Sequence, residues 1–239
     1  MDPTSETTGD GVSEREFRIG EIAGVLWTPA GADGSRPLVL MGHGGGSHKK
    51  SPGQRARAHH FATACGFAVA AIDAPGHGDR PRTADDDRRI AVVQRHIEAG
   101  EPFREELARA NAERAAIAVP EWQAVLDALA AGPAGYYGLS LGTAIGIPLL
   151  AAEPRITAAV LGLAGHAGLA GTAKRITVPV EFQLQWDDEL IPREESLALF
   201  DAFASADKTL HANPGGHVAV PAFELESAGR FFTRHLGAA

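Results

Sequence analysis

Cysteine and long apolar segments are nearly absent from this sequence, and each absence excludes a class of protein. The single cysteine, Cys65, excludes an intrachain disulfide and a metal site built from several thiolates. No stretch approaches about 18 uninterrupted apolar residues, so we expect no membrane-spanning helix and no membrane partner. The polar, acidic start of the chain is unlike a secretory signal, which predicts a cytoplasmic protein unless a leader has been removed.

Positive charge is scarce as well. The chain has 22 lysines and arginines against 30 aspartates and glutamates, a formal net charge of −8. Nucleic-acid binding needs a concentrated basic face, so this balance argues against such a partner. With 239 residues, of which 44% are hydrophobic, the chain can bury one sizeable core. We expect a disordered polar tail over residues 1–13 and a single domain over residues 14–239.

Short apolar runs bounded by glycine or proline recur along the chain and are typical of strands buried on both faces of a parallel sheet. Five such runs occupy residues 38–41, 67–73, 134–139, 156–165 and 178–186. Three further short strands are predicted over residues 16–19, 24–27 and 208–212. Helical patterns fill intervals at residues 55–65, 141–152, 192–206 and 221–236. This alternation predicts an α/β fold with a mostly parallel, eight-stranded sheet and helices on both faces.

A serine between two glycines marks the point where one predicted strand turns into a helix. The segment Gly138-Leu139-Ser140-Leu141-Gly142 ends the apolar run at residue 139 and opens the next helical pattern. Glycines remove side chains that would clash in so sharp a turn, and the turn would expose the serine hydroxyl above the sheet. A serine that merely caps the helix is the alternative. The strand-turn-helix context favours a nucleophile.

A nucleophilic serine needs a general base, and the base needs a carboxylate that orients it. Asp187 and Asp188 directly follow the apolar run 178–186, and His217 follows two glycines in a loop before the last helix. Both loops should lie at the sheet edge of Ser140, and the chain order Ser, Asp, His is the one expected for this architecture. Each residue alone has an ordinary explanation as a helix cap or a solvated side chain. Jointly they favour acyl-transfer chemistry, with either aspartate as the orienting group.

Glycines after the run at residues 38–41 supply backbone N–H groups that such chemistry requires. The segment His43–Gly46 lets main-chain amides approach a developing oxyanion. Gly45 is the favoured oxyanion-hole donor and Gly44 the alternative, with the N–H of Leu141 as the second donor. The residues that follow, 48–50, are interpreted as a solvated loop.

Together these features resemble the α/β-hydrolase superfamily over nearly the whole chain from about Glu16. The shared motifs are HGGG at 43–46, DAPGHG at 73–78, the Ser140 turn, Asp188 four residues before Pro192, and Gly216-His217. The short chain is most similar to the dienelactone-hydrolase and prolyl-oligopeptidase-like branch, although dienelactone hydrolases proper use cysteine where this chain has Ser140. The resemblance implies Asp188 rather than Asp187 as the orienting carboxylate. It implies neither a metal nor an organic cofactor.

One long helical segment is not required by the alternation of strands and helices. It is charged and alanine-rich, with breaks expected near residues 100–102 and at Pro120. Two interpretations of residues 83–119 stay open: a small helical cap insertion over the active site, or ordinary surface helices. In the first, Phe103 or Leu107 would line the substrate pocket and limit acyl size.

The predicted function is hydrolysis of a small-molecule carboxylic ester or thioester through an acyl-enzyme. Ser140 would be the nucleophile, His217 the general base and then acid, and Asp188 the orienting group. An acyltransferase or cyclase would use the same residues while excluding water, and a catalytically silent binding protein could share the fold. His166 follows the strand at 156–165, so a substrate contact and a solvated turn are both open for it. The acyl group, the leaving group and the oligomeric state are left open.

Overall fold

Nine strands form one sheet in the computed structural model, which describes residues 2–32, 36–99, 104–129 and 132–237. The strands are β1 (Asp2–Gly9), β2 (Val12–Ile19), β3 (Ile22–Pro29), β4 (Leu38–Gly42), β5 (Ala68–Ile72), β6 (Ala134–Leu139), β7 (Ile156–Gly162), β8 (Val180–Gln185) and β9 (Lys208–Asn213). The helices are α1 (Pro52–Cys65), α2 (Ala84–Ala99), α3 (Arg104–Leu129), α4 (Leu141–Ala152), α5 (Ala170–Ala173), α6 (Arg193–Ala202) and α7 (Phe223–Leu236). The strand order across the sheet is β1-β2-β3-β5-β4-β6-β7-β8-β9.

The predicted α/β architecture with a mostly parallel sheet is confirmed. Strands β4 to β9 run parallel to one another, and β1 to β3 add an antiparallel edge beside β5. The carboxyl ends of the parallel strands therefore meet at one edge of the sheet, where ligands of such folds bind. That edge carries the loops after β4, β6, β8 and β9.

Side chains of the central strands alternate between two cores, one on each face of the sheet. Leu40 of β4 belongs to the cluster that contains Trp122 of α3, whereas its neighbour Met41 belongs to the cluster of Phe61 from α1 and Phe232 from α7. Because successive side chains of a strand point to opposite faces, a strand covered by helices on both sides must be apolar throughout. The uninterrupted apolar runs of the sequence have this origin.

The N-terminal residues correct the expectation of a disordered tail over residues 1–13. Residues 2–9 form β1, which pairs antiparallel with β2 and raises the sheet from the expected eight strands to nine. Asp10 and Gly11 join the two strands with φ angles of 51° and 76°, the positive values that two-residue hairpin turns require. An edge strand with exposed side chains needs no apolar face, so the polar composition concealed it.

Helix α3 passes through Pro120 without a break, which corrects the interruption expected there. A proline removes one helical N–H and crowds the preceding turn. Buried side chains on both sides of it, Ala115, Ala118 and Trp122, hold this helix against the core. Packing of the apolar face thus outweighs the local penalty. The other expected break, near residues 100–102, lies outside the described residues.

Membrane insertion finds no support in these helices. Among the described residues, every helix is too short or too polar to cross a bilayer.

Gly162 provides a test of the sheet geometry beneath the predicted site. It ends β7, where an added Cβ would lie 2.2 Å from the carbonyl oxygen of Gln183 in β8. Because that oxygen belongs to the sheet backbone, we expect Gly162→Ala to lower the free energy of unfolding by on the order of 1–3 kcal/mol in chemical denaturation. Gly171→Ala in α5 is the control, since its added Cβ meets no atom within 4 Å. Equal stability of the two variants would contradict the packing described here.

Candidate active site

Ser140 occupies a strained turn between β6 and α4. Its φ of 57° and ψ of −115° lie where non-glycine residues are rarely found. The turn is held from both sides, because the Ser140 N–H donates to the carbonyl of Gly162 (2.9 Å) and its carbonyl accepts from the N–H of Ala144 (3.0 Å). The hydroxyl makes no capping hydrogen bond to α4, so it stays available to another partner.

Gly138 and Gly142 permit this turn through close backbone approach. A Cβ on Gly138 would lie 2.8 Å from the backbone of Gly142, which is too short for any real side chain. A Cβ on Gly142 would lie 3.2 Å from the carbonyl oxygen of Gly42, at the end of β4. Glycine at both positions therefore lets β4, β6 and the start of α4 converge beneath Ser140.

Two buried hydroxyls brace the same turn, and neither carries a distinctive sequence signal. The Tyr136 hydroxyl donates to the carbonyl of Gly142 (2.7 Å). The Thr143 hydroxyl accepts the N–H of Gly162 (2.8 Å). It also lies 2.7 Å from the carbonyl of Gly138 and 2.6 Å from that of Gly162, and it donates its one proton to either. These bonds connect the turn to β6 and β7 at its base.

The loops after β8 and β9 bring Asp188 and His217 to Ser140. The Nε2 atom of His217 lies 3.0 Å from the Ser140 Oγ, and its Nδ1 lies 2.7 Å from Asp188 Oδ2. The other carboxylate oxygen, Asp188 Oδ1, accepts the N–H groups of Leu190 and Ile191, each at 2.8 Å. The three side chains form one continuous hydrogen-bonded chain.

The charge of Asp188 determines which nitrogen of His217 carries the proton. Burial opposes ionisation of Asp188, but hydrogen bonds from His217 and from two backbone N–H groups outweigh it and hold the pKa of Asp188 below its usual value. An ionised acceptor at Nδ1 keeps the proton of His217 on that nitrogen. The Nε2 atom is then free to accept the proton of the Ser140 hydroxyl. Ser140 also lies at the N-terminus of α4, where the helix dipole favours negative charge.

The neighbouring acidic residues bind loop backbone rather than the imidazole. Asp187 Oδ2 accepts the N–H of Gly215 (3.1 Å), and the Asp187 N–H donates to the carbonyl of Gly215 (3.2 Å). Glu189 Oε2 accepts the N–H of His217 (2.9 Å). These bonds tie the loop of Asp188 to the loop of His217. The geometry thus separates the two aspartates that sequence spacing alone left open, because Asp188 contacts the imidazole and Asp187 does not.

The glycine loop after β4 lies next to the serine, because β4 and β6 are adjacent in the sheet. Buried His43 anchors this loop: its Nε2 accepts the N–H of Ala74 (2.9 Å) and its Nδ1 donates to the carbonyl of Gly44 (2.8 Å). Burial lowers the pKa of His43, in keeping with a neutral imidazole. Gly45 is exposed in this loop, and Leu141 opens α4 directly after Ser140.

A buried ion pair fixes the far end of the same loop, which corrects the interpretation of residues 48–50 as simply solvated. Lys49 Nζ lies 2.6 Å from Asp73 Oδ2 and 2.6 Å from Asp79 Oδ2. Asp73 Oδ1 accepts the N–H of Lys49 (2.7 Å). Lys49 and Asp73 are 4% and 3% exposed. Burial opposes ionisation of Asp73, but its hydrogen bonds with Lys49 prevail and lower its pKa.

A cavity of about 470 Å³ opens beside Ser140. Its walls come from α3, α4 and the segment after β7, and their apolar members include Leu107, Ala116, Val119, Pro148 and Leu163. Arg104, Asn111 and Glu195 add polar groups to the wall. The volume and the mainly apolar lining are typical of a site for a small organic molecule.

Of the three residues predicted to contact substrate, the structure describes Leu107 and His166, and only Leu107 lines the cavity. Leu107 lines the cavity from α3. His166 is exposed, and its N–H donates to Glu195 (3.2 Å). Its neighbours Gly165 and Ala167 line the cavity in its place. Phe103 lies outside the described residues.

Among known proteins, similar chains were found in solved structures. No family model matches the sequence, and no curated protein matches it. A cold-adapted esterase from an Arctic intertidal metagenomic library, in complex with PEG, is similar at a TM-score of 0.77 and 34% identity, over 99% of this chain and 100% of that one. An acetyl xylan esterase from Paenibacillus sp. R4 is similar at a TM-score of 0.68 and 15% identity, over 98% of this chain and 88% of its own. Dienelactone hydrolase from Anabaena variabilis is similar at a TM-score of 0.66 and 19% identity, over 99% and 100%.

The two more distant structures share the fold, whereas 34% identity over nearly the full length of both chains shows common family membership. The serine turn between β6 and α4 and the order of the parallel strands agree with that relationship. This chain belongs to the α/β-hydrolase superfamily, in one family with the cold-adapted esterase.

Proposed function

We propose that this α/β hydrolase is a serine esterase that cleaves a small-molecule carboxylic ester or thioester through an acyl-enzyme. The observation that carries the proposal is the hydrogen-bonded chain from Ser140 through His217 to Asp188, at the wall of a mainly apolar cavity. The esterases among the similar structures support hydrolysis as the reaction. A catalytically silent binding protein would have no need for a strained serine hydroxyl held against a correctly polarised imidazole.

In the acylation step, the Ser140 Oγ attacks the substrate carbonyl while His217 Nε2 takes the hydroxyl proton. Asp188 keeps the imidazole in orientation and stabilises the imidazolium that forms. The carbonyl oxygen gains negative charge in this step. We assign the stabilisation of that charge to the N–H groups of Gly45 and Leu141, with a further contribution from the dipole of α4. His217 then gives its proton to the leaving alcohol or thiol, and the acyl group stays on Ser140.

In the deacylation step, His217 removes a proton from water, which attacks the acyl carbonyl. The bond to the Ser140 Oγ then breaks, His217 returns the proton to that oxygen, and the acid is released. An acyltransferase or cyclase would direct another nucleophile to the same intermediate. Product analysis with and without an added alcohol or amine separates these reactions. Ester or amide products in place of free acid would assign the chain to acyl transfer.

We assign the acyl group to the cavity beside Ser140, with α3 as its outer wall. Leu107 and Ala116 both line it, so the first half of α3 would act as a partial cap and set the accepted chain length. The rest of α3 belongs to the core through Trp122 and Leu126. Of residues 83–119, the interval for which a cap is one of two interpretations, the α3 part would thus belong to a helix that continues into the core.

Ser140→Ala tests the nucleophile. The variant loses one hydroxyl, so it should fold as the wild type does, while turnover of p-nitrophenyl esters should fall by on the order of 10⁴ to 10⁶. Circular dichroism checks the fold, and steady-state kinetics measure the loss. A fluorophosphonate should add once to the wild type, at Ser140 by peptide mapping, and not to the variant. Turnover like the wild type's in Ser140→Ala would end the assignment.

Two isosteric variants test the orienting carboxylate. Asp188→Asn should lower kcat by about 10⁴, because the amide favours the wrong imidazole tautomer. Asp187→Asn is the matched control: it removes a charge from the same loop, and its carboxylate holds the backbone of Gly215 instead of the imidazole. We expect it to lower kcat by no more than about tenfold. The opposite ranking would show that Asp187 is the functional residue.

Leu107→Ala and Ala116→Leu test the acyl pocket in opposite directions. The first enlarges the cavity and should shift the preference in a series of p-nitrophenyl esters to longer chains. The second fills the cavity and should shift it to shorter ones. Leu126→Ala is the control on the same helix: its side chain is fully buried, so truncation should lower stability by about 2–5 kcal/mol with the preference unchanged. An unchanged preference in both cavity variants would remove α3 from the acyl site.

A further inference from the structure

A second polar cluster lies between the β8–β9 edge of the sheet and α7. Alternate residues of β8 face α7, and among them is Glu181, while Phe182 points into the core on the other face. His211 of β9 is the register partner of Gln183, next to Glu181 along β8. Glu224 comes from the first turn of α7. Carboxylate and imidazole atoms of Glu181, His211 and Glu224 lie within 4.8 Å of one another.

Within the cluster, the imidazole of His211 lies close to Glu224 and further from Glu181. His211 Nδ1 lies 2.6 Å from Glu224 Oε2, and His211 Nε2 lies 3.8 Å from Glu181 Oε2. Glu224 Oε1 accepts the amide N–H of Asn213 (2.9 Å). Glu181 Oε2 accepts the hydroxyl of Ser227 (3.1 Å). Each carboxylate thus keeps an oxygen directed at the imidazole and holds a neutral donor as well.

One imidazole cannot neutralise both carboxylates of the cluster. Glu181 and Glu224 are each 3% exposed, and two buried carboxylates repel each other strongly. One protonated imidazole compensates one of them. Among the described side chains, no lysine or arginine forms an ion pair with Glu181 or Glu224, and the nearby Arg57 interacts instead with Tyr137.

A buried amide oxygen beside the cluster is an independent sign that a partner is missing. Gln183 is fully buried, and its Nε2 donates to Glu181 Oε1 (3.2 Å), which places the end of its side chain at the carboxylate. Its Oε1 is buried without a hydrogen-bond partner among the described residues. A buried acceptor without a partner destabilises the folded protein unless something binds it. An amide oxygen can coordinate a cation, whereas a proton shared by the carboxylates would leave this oxygen without a partner.

We propose that Glu181, His211 and Glu224 form a binding site for a divalent transition-metal ion of the Zn²⁺ class. One imidazole and two carboxylates are ligands that Zn²⁺ takes, whereas Mg²⁺ and Ca²⁺ prefer all-oxygen sites. Ligands of one Zn²⁺ ion stand about 3–3.5 Å apart, given bond lengths of about 2.0–2.2 Å. The imidazole of His211 now stands between the two carboxylates, with Nδ1 toward Glu224 and Nε2 toward Glu181. One ligand atom from each residue lies within 4.8 Å of the others, so the imidazole must turn and the side chains must draw together to hold one ion. The Gln183 oxygen and water are available as further ligands.

The chain positions of these ligands assign the ion a structural role. His211 lies before the loop that carries His217, and Glu224 lies just after it. An ion held by both closes that loop at its base and joins it to β8 through Glu181. Metal binding should therefore raise the melting temperature without being needed for the hydrolytic step itself.

Direct binding measurements test the site independently of esterase activity. The purified full chain is treated with a chelator, dialysed, and titrated with Zn²⁺ by equilibrium dialysis and by thermal denaturation. We expect one ion per chain and a higher melting temperature. Glu181→Gln, His211→Gln and Glu224→Gln should each weaken the apparent Kd at least about tenfold and reduce the thermal shift. Three variants are used so that one that fails to fold by circular dichroism does not decide the result.

Two further histidine variants serve as controls. His235→Gln alters a histidine that lies 3.6 Å from a single carboxylate, Asp207, and should bind Zn²⁺ as the wild type does. His217→Gln removes the histidine–carboxylate pair that His217 forms with Asp188, and this variant should also retain the ion. Absence of stoichiometric binding to the wild type at about 100 µM Zn²⁺ would overturn the proposal. So would loss of the ion in His217→Gln with retention in His211→Gln, which would assign it to the active site.

Discussion

The close approach of three backbone segments beneath Ser140 is the constraint on which the rest of the site depends. The end of β4, the end of β6 and the first turn of α4 meet where Gly42, Gly138 and Gly142 leave no space for a Cβ. The strained dihedral angles of Ser140 persist because this contact and the bonds of Thr143 and Tyr136 hold the turn from beneath. A side chain at Gly138 would meet the backbone of Gly142 at 2.8 Å, so the backbone beneath Ser140 would have to shift.

A rigidly held serine needs an imidazole whose position is equally fixed. Three consecutive acidic residues together hold His217 in place. Asp187 binds the backbone of Gly215, Asp188 binds the imidazole, and Glu189 binds the backbone N–H of His217. Each carboxylate has its own N–H donors, so three negative charges in a row are compensated locally rather than by a cation. The position of His217 is thereby set by the loop after β8 as much as by its own loop.

The sequence predicted the features that follow from periodicity and from rigid local motifs. Apolar runs located the parallel strands to within a few residues, because strands covered on both faces must be apolar. The order of Ser140, Asp188 and His217 predicted a shared sheet edge, and the structure brings the three side chains together there. The catalytic roles of these three residues stay predictions, as do the oxyanion-hole roles of Gly45 and Leu141 and the substrate contacts of Leu107 and His166.

The features that sequence reasoning missed depend on contacts between distant segments. β1 is polar because it lies at the sheet edge, and its best signal was the Asp10-Gly11 turn rather than its composition. Lys49 looked like part of a solvated loop, since nothing in its surroundings along the chain indicates the buried Asp73 that pairs with it. Pro120 is a helix breaker by its local chemistry, but the burial of Trp122 in the next turn decides otherwise.

Helix α3 shows why the cap and surface-helix interpretations could not be separated from sequence. Its second half is core, with Trp122 and Leu126 buried against the sheet, while its first half lines the cavity through Leu107. The helix α2 is held to this first half by Arg114, whose guanidinium lies 3.4 Å from Asp86. One continuous helix therefore transmits the rigidity of the core to the wall of the cavity. A wall built in this way can change its lining residues, and with them the shape of the cavity, without disturbing the packing that positions Ser140.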